Sequence, residues 1–186
     1  MQEGNEKILA ENEAIKRVKE KAYEYDKYSS CSQSVLLAIQ EEFSIGNKES
    51  LKAATALAGG VARQGETCGA LIGAIMALGL VIGREKIENI EQYYRTVEYG
   101  IELCKRFKAE LKRQLGFSQE LKSASCREIQ ERVFGKSFNL ADREDYQAYL
   151  DACAKNPAGS PMVQAVGAQV AAEIILELKQ DRRKRG

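Results

Sequence analysis

Only two prolines, Pro157 and Pro161, occur among the 186 residues. The long span before them therefore contains no residue that must interrupt a helix by withdrawing its backbone N–H. Segments rich in Ala, Leu, Glu and Lys fill that span, and no strand-like alternation persists. The predicted fold class is all-α: a multi-helix bundle with one very apolar central helix and one long amphipathic helix. At this length one domain over 1–186 can bury about two thirds of its unfolded surface.

Apolar periodicity and punctuation set the expected elements. Ile8, Ile15, Val18, Ala22 and Tyr25 recur at helical spacing and predict a charged N-terminal helix to about Tyr28. A second helix is expected from Cys31 to about Phe43, and a third from about Ser50 until Gly59-Gly60 ends it. The fourth covers the apolar run 68–82. From about Lys86 to Leu115, Ile87, Ile90, Tyr94, Val97, Ile101, Cys104, Leu111 and Leu115 read as one long helix with a single buried stripe, stopped by Gly116. Further helices are expected over Cys126 to Phe134, over Asp142 to Cys153, and from Met162 into a basic tail, RRKR.

Composition excludes several chemistries. Twenty-eight basic against twenty-seven acidic residues leave a net charge of +1, without the electrostatic footprint of a dedicated nucleic-acid binder. With no histidine there is no His-containing zinc site, no His-ligated haem and no Ser-His or Cys-His pair, so any metal must be held by Cys, Asp or Glu. The longest uncharged apolar run, Cys68 to Gly83, is short of the roughly 20 residues that cross a bilayer, and no membrane span is expected. An odd number of cysteines and an N-terminal segment without the apolar core of a secretory signal lead to the expectation of a reducing cytoplasm.

Three of the five cysteines share a local context. Ser30-Cys31-Ser32-Gln33 and Ser125-Cys126-Arg127-Glu128 fit the capping box, and Thr67-Cys68 places a third cysteine behind a threonine N-cap. All three thiols are then expected at helix N-termini, where unpaired N–H groups and the helix dipole favour thiolate, with Cys68 accessible. A thiolate is the form that nucleophilic redox chemistry and metal ligation both require. Cys153, near the end of its helix, completes a set of four, whereas Cys104 falls on an apolar stripe and reads as core. The separations of 37, 58 and 27 residues allow a common site only by tertiary convergence. Gly69, Gly73 and Ala77 give the fourth helix a small-residue face. That face suits close helix packing, or a cofactor lying against bare backbone at Gly69 and Gly73.

These residues resemble the family of redox-active proteins named for a C-GCAxxG-C-C cysteine pattern. The central match is Gly65-Glu66-Thr67-Cys68-Gly69-Ala70-Leu71-Ile72-Gly73, with Thr67 where the family name writes a glycine before the motif. Cys31, Cys126 and Cys153 match the outer cysteines, and the resemblance runs from about Tyr23 to about Leu178. It implies redox activity at Cys31, Cys68, Cys126 and Cys153. A related domain in certain multi-centre cytochromes occurs with an iron–sulfur cluster, which extends the expectation to cluster binding.

The expected function is electron transfer or redox sensing through a centre of the [2Fe–2S] type, held by these four residues as metal ligands. The alternatives are a dithiol/disulfide oxidoreductase, in which two of the four are catalytic, and a module that holds zinc through four thiolates or no metal at all and acts by helix association. A redox partner protein is expected, and a homodimer is suggested by the small-residue and long amphipathic helices.

Overall fold

The computed structural model describes residues 2–156 and 158–185, with side chains for 4–156 and 158–181. The side chains of the basic tail Arg182 to Arg185 lie outside the described residues. Among the described residues eight α-helices occur, in the order α1 (Gln2–Tyr25), α2 (Cys31–Phe43), α3 (Lys48–Ala53), α4 (Gly69–Ile82), α5 (Ile90–Leu115), α6 (Cys126–Phe134), α7 (Arg143–Lys155) and α8 (Ser160–Arg185). Short 3₁₀ turns follow α1 and α3, and among the described residues the only β pairing is an isolated bridge between Thr67 and Ser125. The fold is all-α.

Five helices form the body. α8 packs against α1, α2, α4 and α5, and α4 in turn packs against α2 and α5. From Val163 to Ala172 every residue of α8 is buried, so this helix has no solvent face over that stretch. By length and composition α8 could cross a membrane, and 72% of its apolar window lies inside the fold. Close approach to its neighbours rests on small residues: a Cβ on Gly167 would lie 3.0 Å from the Ala70 carbonyl oxygen, and one on Gly73 would overlap the Ser32 carbonyl. The small-residue face of α4 is thus covered by α2 backbone at Gly73. Phe107, Leu103 and Leu111 of α5 complete the core at full burial.

Three expectations are corrected. The third helix is one and a half turns long rather than reaching Gly59. Asn47 and Ser50 cap it reciprocally, but the Thr55 hydroxyl then donates to the Lys52 carbonyl at 2.7 Å, and the chain tightens into a 3₁₀ turn at Thr55–Leu57. α5 begins at Ile90 because the Asn89 side chain accepts the Gln92 N–H and fixes the start there. The single buried stripe expected along α5 is two rows. Leu103, Phe107 and Leu111 are buried, whereas Ile87, Ile90, Tyr94, Val97 and Ile101 are exposed. Periodicity marks apolar faces but cannot say whether a neighbour covers them.

Candidate four-cysteine centre

Two chain segments are stitched side by side to bring the first pair of cysteines together. The Cys68 N–H donates to the Ala124 carbonyl at 2.9 Å, the Cys126 N–H to the Glu66 carbonyl at 2.5 Å and the Arg127 N–H to the Gly65 carbonyl at 3.1 Å. With the Thr67–Ser125 bridge between them, these bonds align the starts of α4 and α6. Cys126 is the first residue of α6, behind Ser125, whose hydroxyl accepts the Glu128 N–H at 3.2 Å. Glu128 does not complete the box. Its carboxylate accepts instead from the Lys122 and Ser123 N–H groups, each at 2.7 Å.

The other capping expectations change in detail. Cys68 is itself the N-cap residue of α4, because Thr67 is held in the bridge, and the helix begins at Gly69. Cys31 is the first residue of α2, yet Ser30 makes no side-chain cap and its hydroxyl is buried without a partner. Gln33 is drawn away from the box, its amide donating to the Leu51 carbonyl and to Thr55 Oγ1, both at 3.0 Å. All three cysteines nonetheless stand at helix N-termini. Cys153 comes from the last turn of α7.

The four side chains line one chamber of about 110 Å³. Cys104 is not among its walls; it sits half-buried on α5, packed against the core. Gly69 is where α4 meets α2 at the site, since a Cβ there would overlap Cys31 Sγ. All five cysteines are unpaired thiols. Among the described residues no three Cys, Asp or Glu side chains gather around one point closely enough to hold a single metal ion, so the sulfurs surround a space rather than meet.

The electrostatics reverse the expectation of lowered thiol pKa values. Burial pushes Cys68 well above the ordinary thiol range, and the neighbouring Cys31 and Cys126 push the same way. The N–H groups of Ala70 and Leu71 favour its thiolate, as a helix start should, but they are outweighed. Burial likewise raises Cys31, against N–H bonds from Gly59 and Ser32, and raises Cys153. It lifts Cys126 to about 11, assisted by Cys31 and opposed by Gln130. Cys68 is 5% exposed, so the expected accessibility is also corrected.

Several wall residues escaped the sequence reading. The Gln130 amide donates to Cys126 Sγ at 3.2 Å while its oxygen accepts the Phe138 N–H at 2.8 Å. Tyr149 lines the chamber beside Cys153, and burial raises its phenol well above the usual range. Each lies four positions from a cysteine on the same helix, the one sequence signal that could have found them. At the far wall Ser160 Oγ donates to Asp26 Oδ1 at 2.7 Å, the Gln164 amide donates to the same oxygen, and Gln164 Oε1 is buried without a partner.

The chamber is roofed by an unusual turn. Gly59, Gly60, Val61, Ala62 and Arg63 all have φ between 50° and 67°, a left-handed turn of five consecutive residues, three of them not glycine. Such residues cost roughly 1–2 kcal/mol each and are seldom consecutive. The turn is held by the Arg63 guanidinium, 3.8 Å from the centroid of the Tyr146 ring, and by the Arg127 guanidinium bonded to the Gln64 carbonyl.

A family model described as "Putative redox-active protein (C_GCAxxG_C_C)" matches residues 29–158. The chain belongs to this family. No curated protein and no solved structure matches the chain. Membership supports a redox role, and the matched span contains all four chamber cysteines.

Proposed function

We propose that the chain carries an iron–sulfur centre, of the [2Fe–2S] type, on Cys31, Cys68, Cys126 and Cys153, and that it serves in electron transfer or redox sensing. The observation that carries this reading is the chamber itself: four thiols from the ends of four helices line one space, with the fifth cysteine excluded. The residues fit such a group by number and kind, because a [2Fe–2S] centre takes four thiolates. When bound, the group supplies reversible one-electron chemistry.

The thiol energetics point the same way. A buried cysteine with a raised pKa is a poor nucleophile near neutral pH, which disfavours a dithiol/disulfide cycle at these thiols. Metal ligation inverts that order, because the cation replaces the proton on each sulfur and burial then strengthens the attraction. The N–H groups of Gly59, Ser32, Ala70 and Leu71 and the Gln130 amide are already directed at sulfur, and they stabilise negative charge there.

The test is iron and acid-labile sulfide analysis, with a visible spectrum before and after dithionite, on protein prepared and reconstituted without oxygen. Iron and sulfide in equal amounts, with a chromophore that bleaches on reduction, is the expected result. Protein that stays colourless and retains no iron after reconstitution, or takes up zinc alone, overturns the reading.

A further inference from the structure

The N-terminal half of α5 carries an apolar row that the other described residues leave uncovered. Ile90, Tyr94, Val97 and Ile101 follow at steps of four, three and four, which places them on one side of the helix. They are 54%, 61%, 39% and 52% exposed, and Ile87 at 69% and Tyr93 at 43% adjoin them. Together these side chains present on the order of 600 Å² of apolar surface, at the upper limit of what a soluble monomer shows as one patch. Each partner in a standard interface contributes about 800 Å² in all, of which roughly 57% is apolar. The row, with Ile87 just ahead of the helix, supplies that apolar share.

Area and the outer charges of one edge together point to a second copy as the occupant. Glu91 and Lys105 are both exposed, and among the described residues neither takes part in a salt bridge. They lie fourteen positions apart, just under four helical turns, so both sit along the same edge of the row, one at each end. Two copies of the row laid antiparallel about a two-fold axis near Val97 bring Tyr94 of one over Ile101 of the other. The same rotation brings Glu91 of each copy to Lys105 of the other, and sets the exposed Glu98, midway between them on that edge, against its own copy, so two opposite-charge pairs flank one like-charge pair. Gly100, beside the row, has nothing within 4 Å of its Cβ position and leaves a notch for an aromatic ring. Self-complementarity of this kind is what an isologous contact requires.

We infer that this face is a homodimer interface in which the two α5 helices pair antiparallel. The partner is a second copy of this chain. No residue of α5 lines the cysteine chamber, so pairing leaves both chambers as reachable as in a single copy. The inference is independent of what the chamber holds.

Sedimentation equilibrium of the full chain tests it, with circular dichroism to confirm folding. Wild type is expected at twice 20.7 kDa. Val97→Asp, at an exposed position, is expected to weaken the dimer about 100-fold without loss of helicity. Glu91→Lys and Lys105→Glu should each weaken it about 3-fold, and the double reversal should restore it. Wild type remaining at 20.7 kDa up to ~100 μM, or a dimer indifferent to Val97→Asp, overturns the interface. Single reversals that the double variant does not repair overturn the antiparallel arrangement.

Discussion

Gly69 at the start of α4 lies so close to Cys31 at the start of α2 that a methyl group on the glycine would overlap the cysteine sulfur; it would also lie 3.0 Å from the Leu57 carbonyl oxygen. The glycine is therefore part of how the first cysteine is aimed. Gly69→Ala is expected to lower iron retention although every thiol remains, and to cost about 1–3 kcal/mol in stability. Gly79→Ala on the same helix is the control. Its Cβ would meet nothing within 4 Å, so it should leave iron content unchanged and stabilise α4 by about 0.5–1 kcal/mol. Iron analysis and urea denaturation of the two variants distinguish them.

Burial of the thiols ties stability to pH in the metal-free chain. Folded Cys126 titrates at about 11, above an exposed cysteine near 8.5, so between those values the folded chain holds a proton that the unfolded chain has released. The stabilisation is complete below about pH 8.5 and is lost as pH rises through 11, amounting to about 3 kcal/mol for this residue. Urea denaturation at intervals from pH 8 to pH 11 should show wild type losing more stability than Cys126→Ser. Equal losses would mean that Cys126 is not held neutral by burial.

The left-handed roof separates two kinds of residue. Gly60→Ala would bring a Cβ to 2.6 Å from Glu66 N and 2.7 Å from its carbonyl oxygen, at φ +67°, and should destabilise the fold by about 2–3 kcal/mol. Val61, at φ +55° and 40% exposed, is a β-branched residue with little burial to offset its backbone cost. Val61→Gly should be stabilising by about 0.5–1 kcal/mol. Thermal denaturation of the pair checks both signs.

Gln130 joins the centre to the loop after α6, donating to Cys126 Sγ and accepting from the Phe138 N–H. Gln130→Leu removes the donor to sulfur, so the midpoint potential of the reconstituted protein should move negative. It also orphans a buried N–H, at about 1–3 kcal/mol. A potential unchanged by the substitution would assign Gln130 to packing alone.

The bundle was legible from the sequence because helix punctuation is local. Gly116 ends α5 as expected, Gly135 ends α6 in the same left-handed conformation, and α2 and α6 begin at Cys31 and Cys126 as expected. The grouping of Cys31, Cys68, Cys126 and Cys153, and the separation of Cys104, came from family resemblance and helical phase, and the chamber has the same membership. What failed were expectations that depend on the environment. The dipole argument at Cys68 was sound in sign, but desolvation, which no local motif encodes, is larger. The capping box at Ser30 failed because Leu51 of α3 and Thr55 of the 3₁₀ turn after it offer acceptors to the Gln33 amide. The uncovered row on α5 could not be told from the buried one, since both are apolar at helical spacing.

The central claim is that four named thiols, and not the fifth, hold the redox centre. Iron and sulfide content of the five single Cys→Ser variants, reconstituted together without oxygen, tests it most directly. Cys31→Ser, Cys68→Ser, Cys126→Ser and Cys153→Ser are expected to lose or destabilise the centre while remaining helical, and Cys104→Ser is expected to match wild type. Uniform iron across all five variants, or loss confined to Cys104→Ser, would contradict it.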